Sequence, residues 1–173
     1  MDVIDAMKAR RSVRAYEPKQ IPDEVLSSIL EAGRLAPSAS NSQPWHFIIV
    51  KDSEKRRVLS EGRYAHFLTQ SPVVIVGCGD TKKSPKWCVV DVTIALQQMV
   101  LAATNEGLGT CWIGSFDEDS VRKCLGVPGD WKIVAMLAVG YAENKLDLRA
   151  LLGRSKNRKP LEEISSTDEF GGR

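Results

Sequence analysis

The most apolar long stretch of this chain, residues 89–103, reads Val-Val-Asp-Val-Thr-Ile-Ala-Leu-Gln-Gln-Met-Val-Leu-Ala-Ala and holds neither Gly nor Pro. Fifteen such residues are too many for an ordinary strand and too few to span a bilayer, so the stretch predicts a helix. Ala95, Leu96, Met99, Val100, Leu101, Ala102 and Ala103 point in almost every direction around it, and such a helix must be covered on almost every side. Its end is predicted at Asn105-Glu106-Gly107, where Gly107 can adopt the left-handed backbone that closes a helix. In a chain of 173 residues this helix is the pillar of the core. One modest sheet covers only part of it, and the rest is expected to meet a second subunit. A helix wholly buried inside a monomer is the alternative.

The remaining segments alternate between short helices and strands. Val3, Ile4, Ala6 and Met7 form one face of a helix that runs into Arg10. Ile21-Pro22-Asp23-Glu24-Val25 opens a second, with Pro and acidic residues in its first turn. Its apolar stripe is Val25, Ile29, Leu30 and Leu35, and it ends between Gly33 and Pro37. Strands are expected at 46–50, 72–79 and 131–141, with a short one in 107–116 that opens into a glycine-containing turn. Residues 55–61 and 64–69 read as short helical pieces, and Asp117 caps a helix running to Leu125. Lys82, Lys83, Pro85 and Lys86 mark 80–87 as an exposed, mobile connection near the entrance of any pocket. Gly77-x-Gly79 starts a dinucleotide fingerprint, but position 82 is Lys and no helix follows at once, so a Rossmann site is rejected.

At 43% hydrophobic, the chain fits a single domain over 1–173 without internal repeats. A net charge of +2 gives no general field for nucleic acid or membrane. The acidic start Met1-Asp2-Val3-Ile4-Asp5 does not read as a signal peptide, and no apolar run reaches membrane-spanning length, so a cytoplasmic protein is expected. Cys78, Cys88, Cys111 and Cys124 form no Cys-x-x-Cys pair and have only His46 and His66 as possible co-ligands, which argues for reduced, packed thiols and against a metal site. Beyond Ala142 the chain turns polar, with Arg154, Lys156, Arg158 and Lys159. This tail, from about 145 to 173, is expected to extend over another surface, that of the partner subunit.

Two local features suggest a ligand. Arg10, Arg11 and Arg14 fall within five residues around the Ser12 hydroxyl, and the guanidinium fork matches phosphate oxygens in two-point contact. A solvated basic surface is the plain alternative. Residues 36–45 are a loop of small and polar residues with two prolines, in which backbone can approach a flat ligand closely while Ser40, Asn41 and Gln43 read its polar edges. An ordinary surface loop would be just as polar.

Taken in order, Arg10-Arg11-Ser12-Val13-Arg14, Ala36-Pro37-Ser38-Ala39-Ser40-Asn41-Ser42-Gln43-Pro44-Trp45, Gly109-Thr110-Cys111-Trp112-Ile113-Gly114-Ser115-Phe116 and Arg158-Lys159-Pro160-Leu161-Glu162-Glu163-Ile164 resemble the nitroreductase family of flavoproteins, in its shorter members. The resemblance implies an α+β fold: a central, mostly antiparallel sheet flanked by helices, a buried central helix, and an intertwined homodimer. It implies one non-covalent FMN per subunit at the dimer interface. By position, Arg10, Arg11, Ser12 and Arg14 belong to that flavin site, joined at the phosphate by Arg158. Pro37, Ser38, Ala39, Ser40 and Asn41 would come from the other subunit, and Ile113, Gly114 and Ser115 would line the ring. Arg63 and His66 match positions near its pyrimidine edge, and His46 is read as structural. Ala39 stands where common members have Ser, so only backbone contact remains there. The implied activity is a ping-pong oxidoreductase drawing on NADH or NADPH and reducing an electron-poor acceptor such as a nitroaromatic or quinone. The chemistry would belong to the flavin, so no catalytic side chain is assigned. A specialised flavoprotein of the same fold, such as a reductive dehalogenase, and a basic phosphate- or nucleic-acid-binding module without redox activity are the alternatives.

Overall fold

A computed structural model describes residues 1–143 and 158–171; Arg154 and Lys156 of the polar tail lie outside the described residues. The chain divides into two compact units, Met1–Glu143 and Asn144–Arg173.

The apolar run lies within helix α4, Cys88–Asn105. Its end is built as expected. Gly107 sits at φ +75°, and the Leu108 N–H donates to Ala103 O at 2.8 Å while the Gly107 N–H donates to Thr104 O at 3.1 Å. At 18 residues the helix does reach the minimum length and apolar composition of a membrane span. The expectation that no run would do so is corrected, because the helix extends a turn beyond the apolar run. It is packed as a core helix, against one face of the sheet and against α2, Asp23–Arg34.

Four strands, β1 (Trp45–Val50), β2 (Val73–Asp80), β3 (Gly109–Ile113) and β4 (Trp131–Gly140), form one sheet in the order β1-β2-β4-β3, with every neighbouring pair antiparallel. The fold is therefore α+β as expected. β2 is a continuous apolar run because both its faces are buried. Val73 and Ile75 pack with Val92, Leu96 and Met99 of α4, while Val74, Val76 and Cys78 face the opposite core with Leu59, Leu68 and Met136. Gly77 and Gly79 are explained by the same packing. A Cβ on Gly77 would stand 2.7 Å from Leu96 Cδ1, and one on Gly79 would stand 3.2 Å from Cys88 Cβ. The glycines let the helix sit directly on the sheet.

Two helices depart from the expected burial. In α2 the buried line is Leu26, Ile29 and Gly33 rather than a stripe through Val25 and Leu35, and Leu35 is exposed. Gly33 is a packing notch, since a Cβ there would lie 2.1 Å from Met99 Cε. In α1, Val3–Ala9, only Ala6 is buried, and Val3, Ile4 and Met7 are each more than half exposed. α4 shares this feature: Val89 and Val90, at 47% and 45% exposed, and Thr93 and Gln97 leave one side uncovered within the chain. Cover on almost every side is thus not achieved by one chain.

The 80–87 connection, expected as mobile, is a series of bonded turns. Asp80 Oδ1 accepts from the Lys82 and Lys83 N–H groups at 2.9 Å, Lys82 pairs with Asp130 at 2.9 Å, and Ser84 is buried. Beyond β3, helix α5 (Glu118–Leu125) begins at Asp117, whose side chain accepts from the Ser120 N–H, and closes on Gly126 in the left-handed region. Glu118 ties this helix to β4 through Lys132 and pairs within the helix with Arg122, which itself donates to Trp131 O of β4. These cations, Lys132 first, hold its carboxyl below the ordinary 4.5. A lowered carboxyl contributes stability that is full above the unfolded-state value and is lost as the pH falls through the folded one. The difference in thermal stability between the protein and its Glu118→Gln variant is therefore expected to be present at pH 7 and to close in unfolding scans taken progressively below pH 4.5.

In the second unit the described segment carries a single turn at Leu161–Glu163, which the Ser165 hydroxyl closes onto Leu161 O at 2.6 Å.

Candidate functional site

The arginine motif is laid along the β3 edge of the sheet. α1 ends on the Arg10 N–H donating to Ala6 O at 3.0 Å, and the chain then runs extended. Ser12 pairs with Thr110 in parallel, and the Val13 N–H donates to Thr110 O at 2.8 Å. Tyr16 pairs with Ala142, and its hydroxyl donates to Val13 O at 2.7 Å. Val13 and Tyr16 point into the core, which turns Arg11 and Arg14 outward and leaves Arg10 and Ser12 half-buried. Among the described residues none of Arg10, Arg11 and Arg14 forms a salt bridge. Three guanidinium groups held together without a carboxylate suit an anion. Two of them, Arg14 and Arg10, also act electrostatically on the neighbouring thiol. Burial raises Cys111 above its ordinary value, while Arg14, the Ser12 hydroxyl and Arg10 oppose that shift.

Further along β3 the chain reaches Ile113, Gly114 and Ser115. Ile113 lies three residues on from Thr110, roughly 10 Å at strand rise. Ile113 is buried, whereas Gly114 and Ser115 are exposed. A Cβ on Gly114 would meet nothing within 4 Å, and its backbone is outside the left-handed region. The chain's own packing does not demand glycine there, so the bare backbone is available to a flat ligand. Gly62 brings a second segment to this place, since a Cβ on it would lie 2.8 Å from Ser115 O. Arg63 and His66, both exposed, follow immediately.

Gly109 is the tightest point of the motif. A Cβ there would lie 2.6, 2.8 and 2.9 Å from three side-chain atoms of Val13. Gly109→Ala is expected to push Val13 from the edge of β3, costing about 1–3 kcal/mol as overpacking does. Because Val13 stands between Ser12 and Arg14, thermal unfolding and anion affinity are expected to fall together in this variant.

The loop 36–44 sits elsewhere. It leads into β1 at the opposite edge, three inter-strand spacings or roughly 14 Å from β3. Along the strands it lies at the end away from Gly109, since Trp45 stands opposite Gly79 and Gly109 opposite Gly140, whereas Ile113, opposite Met136, runs toward the Trp45 end. Ser40, Asn41 and Gln43 adopt positive φ of 50°, 53° and 46° without being glycine, a backbone that persists only where the surroundings hold it. Ser38 Oγ accepts from the Gln43 N–H at 2.9 Å, and Asp91 Oδ1 accepts from the Ala39 N–H at 3.0 Å. The Ser42 hydroxyl is buried without a hydrogen-bond partner among the described residues. Pro37, Ser40 and Asn41 are exposed, and Ser38 and Ala39 half-buried.

The structure thus brings Arg10, Arg11, Ser12 and Arg14 onto the strand that leads to Ile113, Gly114 and Ser115, with Arg63 and His66 beside the latter. It keeps Pro37, Ser38, Ala39, Ser40 and Asn41 apart from them within one chain. Arg158 belongs to the second unit. His46 is exposed, its ring edge-on to Trp131 at 5.9 Å. Sequence reading missed three positions: Gly62 and Gly109, whose demands come from distant neighbours, and Asp91, the one acidic residue of the apolar run.

A model described as the nitroreductase family matches residues 7–64 and 56–141. A protein of Archaeoglobus fulgidus, provisionally named NADH dehydrogenase/NAD(P)H nitroreductase, is 37% identical over 147 residues, covering 80% of this chain and 84% of the relative. The crystal structure of a protein of the same provisional name from Parabacteroides distasonis superposes with a TM-score of 0.86 at 30% identity, covering 96% of this chain and 98% of its own. An FMN-dependent nitroreductase from Clostridium difficile superposes with a TM-score of 0.84 at 29% identity, covering 96% of this chain and 99% of its own.

Proposed function

Because the chain belongs to the nitroreductase family and is an oxidoreductase of that kind, we propose that it binds FMN and uses NADH or NADPH to reduce an electron-poor acceptor such as a nitroaromatic or quinone, in a ping-pong cycle. When bound, FMN supplies the redox chemistry, taking hydride from the nicotinamide and passing electrons to the acceptor. The observation that carries the reading is the set of arginines, without a salt bridge among the described residues, on the segment beside the strand that leads to the open backbone at Gly114.

In this reading Arg10, Arg11 and Arg14, with Ser12, neutralise and orient the phosphate end, to which the family resemblance also assigns Arg158. Arg14 nearest the ring would favour extra negative charge there. Ile113 packs beneath the ring, and the exposed backbone of Gly114 and Ser115 offers N–H donors to its polar edge. Arg63 and His66 flank that edge. Pro37, Ser38, Ala39, Ser40 and Asn41 close over the flavin from a second copy, a reading that their place at the far edge of the sheet supports. The open apolar sides of α1 and α4 supply the surface on which two copies pair.

The test is the visible spectrum of the purified protein, followed by anaerobic addition of each nicotinamide and then of nitro, quinone and halogenated aromatic acceptors side by side. A yellow protein bleached by NADH or NADPH and recoloured by nitroaromatic or quinone is expected. Recolouring by the halogenated compound alone would make it a dehalogenase. Flavin that neither nicotinamide bleaches would make it a binding protein. A colourless protein that ignores added FMN and binds oligonucleotide with steep salt dependence would overturn the proposal.

A further inference from the structure

Asp91 is a carboxylate sunk in the first turn of α4, 3% exposed, in an otherwise apolar stretch. Burying a charge is costly unless it is bonded, and this one is bonded to two loops. Its Oδ1 accepts from the Ala39 N–H at 3.0 Å, and its Oδ2 accepts from the buried Ser84 hydroxyl at 3.4 Å. The amino end of the helix adds a favourable field for negative charge.

The loop it reaches has a particular need of such support. Ser40 and Gln43 hold left-handed backbone that their side chains disfavour, on either side of Asn41, which tolerates it better. Bonds within the loop, Asn41 N–H to Ser38 O and Ser42 N–H to Ala39 O, both at 3.0 Å, fold it on itself but do not place it. Four hydrogen bonds tie it to the body among the described residues, one of them at its entry, Ala36 N–H to Gly33 O at 3.2 Å. Two lie at its exit: Asp80 N–H to Pro44 O at 2.8 Å, and Lys83 Nζ to Gln43 O at 3.5 Å. Only the Asp91 bond reaches the 38–41 turn.

We propose that Asp91 is a positioning residue for the cofactor. Through the Ala39 N–H it fixes the 38–41 turn in the shape that receives the flavin, and through Ser84 it locks that turn to the 80–87 connection. The proposal rests on the flavin reading above. It gives a buried acid, with no contact to substrate, control over how tightly FMN is held.

The experiment follows release of FMN from the holo-protein on dilution, read by the return of flavin fluorescence. Asp91→Ala is expected to weaken FMN binding at least about tenfold. Asp91→Asn keeps a carbonyl oxygen for the Ala39 N–H and an amide for Ser84, so it is expected to stay within about threefold of the parent. Ala39→Pro deletes the same hydrogen bond from the loop side. Proline fits the first residue of a helical turn after extended Ser38, so this variant tests the bond even if Asp91→Ala does not fold. It is expected to weaken FMN as Asp91→Ala does. Val100→Ala, equally buried nine residues on in the same helix, is expected to lower the unfolding temperature and leave FMN release unchanged. FMN held as tightly in Asp91→Ala or Ala39→Pro as in the parent would overturn the proposal, as would equal weakening by Val100→Ala. A parent that never binds FMN would instead sink the flavin reading itself.

Discussion

Replacing Arg10 and Arg14 together by Ala is expected to give a colourless protein of unchanged fold. Each guanidinium that bonds a phosphate dianion contributes about 1.5–3 kcal/mol, so losing two removes roughly 3–6 kcal/mol before screening. Arg14 is exposed and Arg10 half-buried, which moves the estimate toward the lower end. FMN affinity is then expected to fall by about a hundredfold or more. The fold should survive, because neither side chain pairs with a carboxylate among the described residues. α1 closes through the backbone N–H of Arg10, and the edge pairing runs through the backbone of Val13. Absorbance near the flavin band, normalised to protein, measures the effect, and far-ultraviolet circular dichroism checks the fold. Full flavin content in the double variant would move the phosphate away from this strand.

Much of this architecture was legible because local chemistry and global packing agree. Gly107 closes the central helix with the left-handed turn expected of it, and Asp117 and Gly126 bracket α5 in the same way. β2 reads as buried on both faces because its residues have no polar partner to turn outward. Positions whose role is set by remote neighbours were not legible. Gly33 looks like a helix terminator and is a notch for Met99; Gly62 and Gly109 look like loop residues and are contact points for Ser115 and Val13. The left-handed backbone at Ser40 and Gln43 leaves no mark in residue type. Asp91 could have been noticed, since a lone acid amid fourteen residues of helix-forming, uncharged chain requires a buried donor or an open face. The arginine motif suggested an anion by composition alone, but its placement beside β3 follows from the pairing of Ser12 with Thr110, which no local rule supplies.

Val90→Asp is expected to leave a folded monomer without flavin. Within one chain Val90 is 45% exposed, so a carboxylate there remains hydrated. In the first turn of α4 it also meets the favourable end of the helix dipole, which should preserve the helix rather than fray it. Between two copies the balance reverses. A symmetric interface buries the substituted residue twice, and each unpaired carboxylate costs several kcal/mol, enough to cancel the contribution of an ordinary apolar interface. Light scattering on a sizing column should then report a single chain where the parent gives two. Flavin should be lost with the partner, because in the proposed site the 36–44 loop, at the far edge of the sheet from Arg10 and Arg14, closes over the ligand from the second copy. The two readouts separate the two steps of the argument. A dimer that persists in Val90→Asp would place the interface away from α4, and a monomer that keeps its flavin would mean that one chain completes the site.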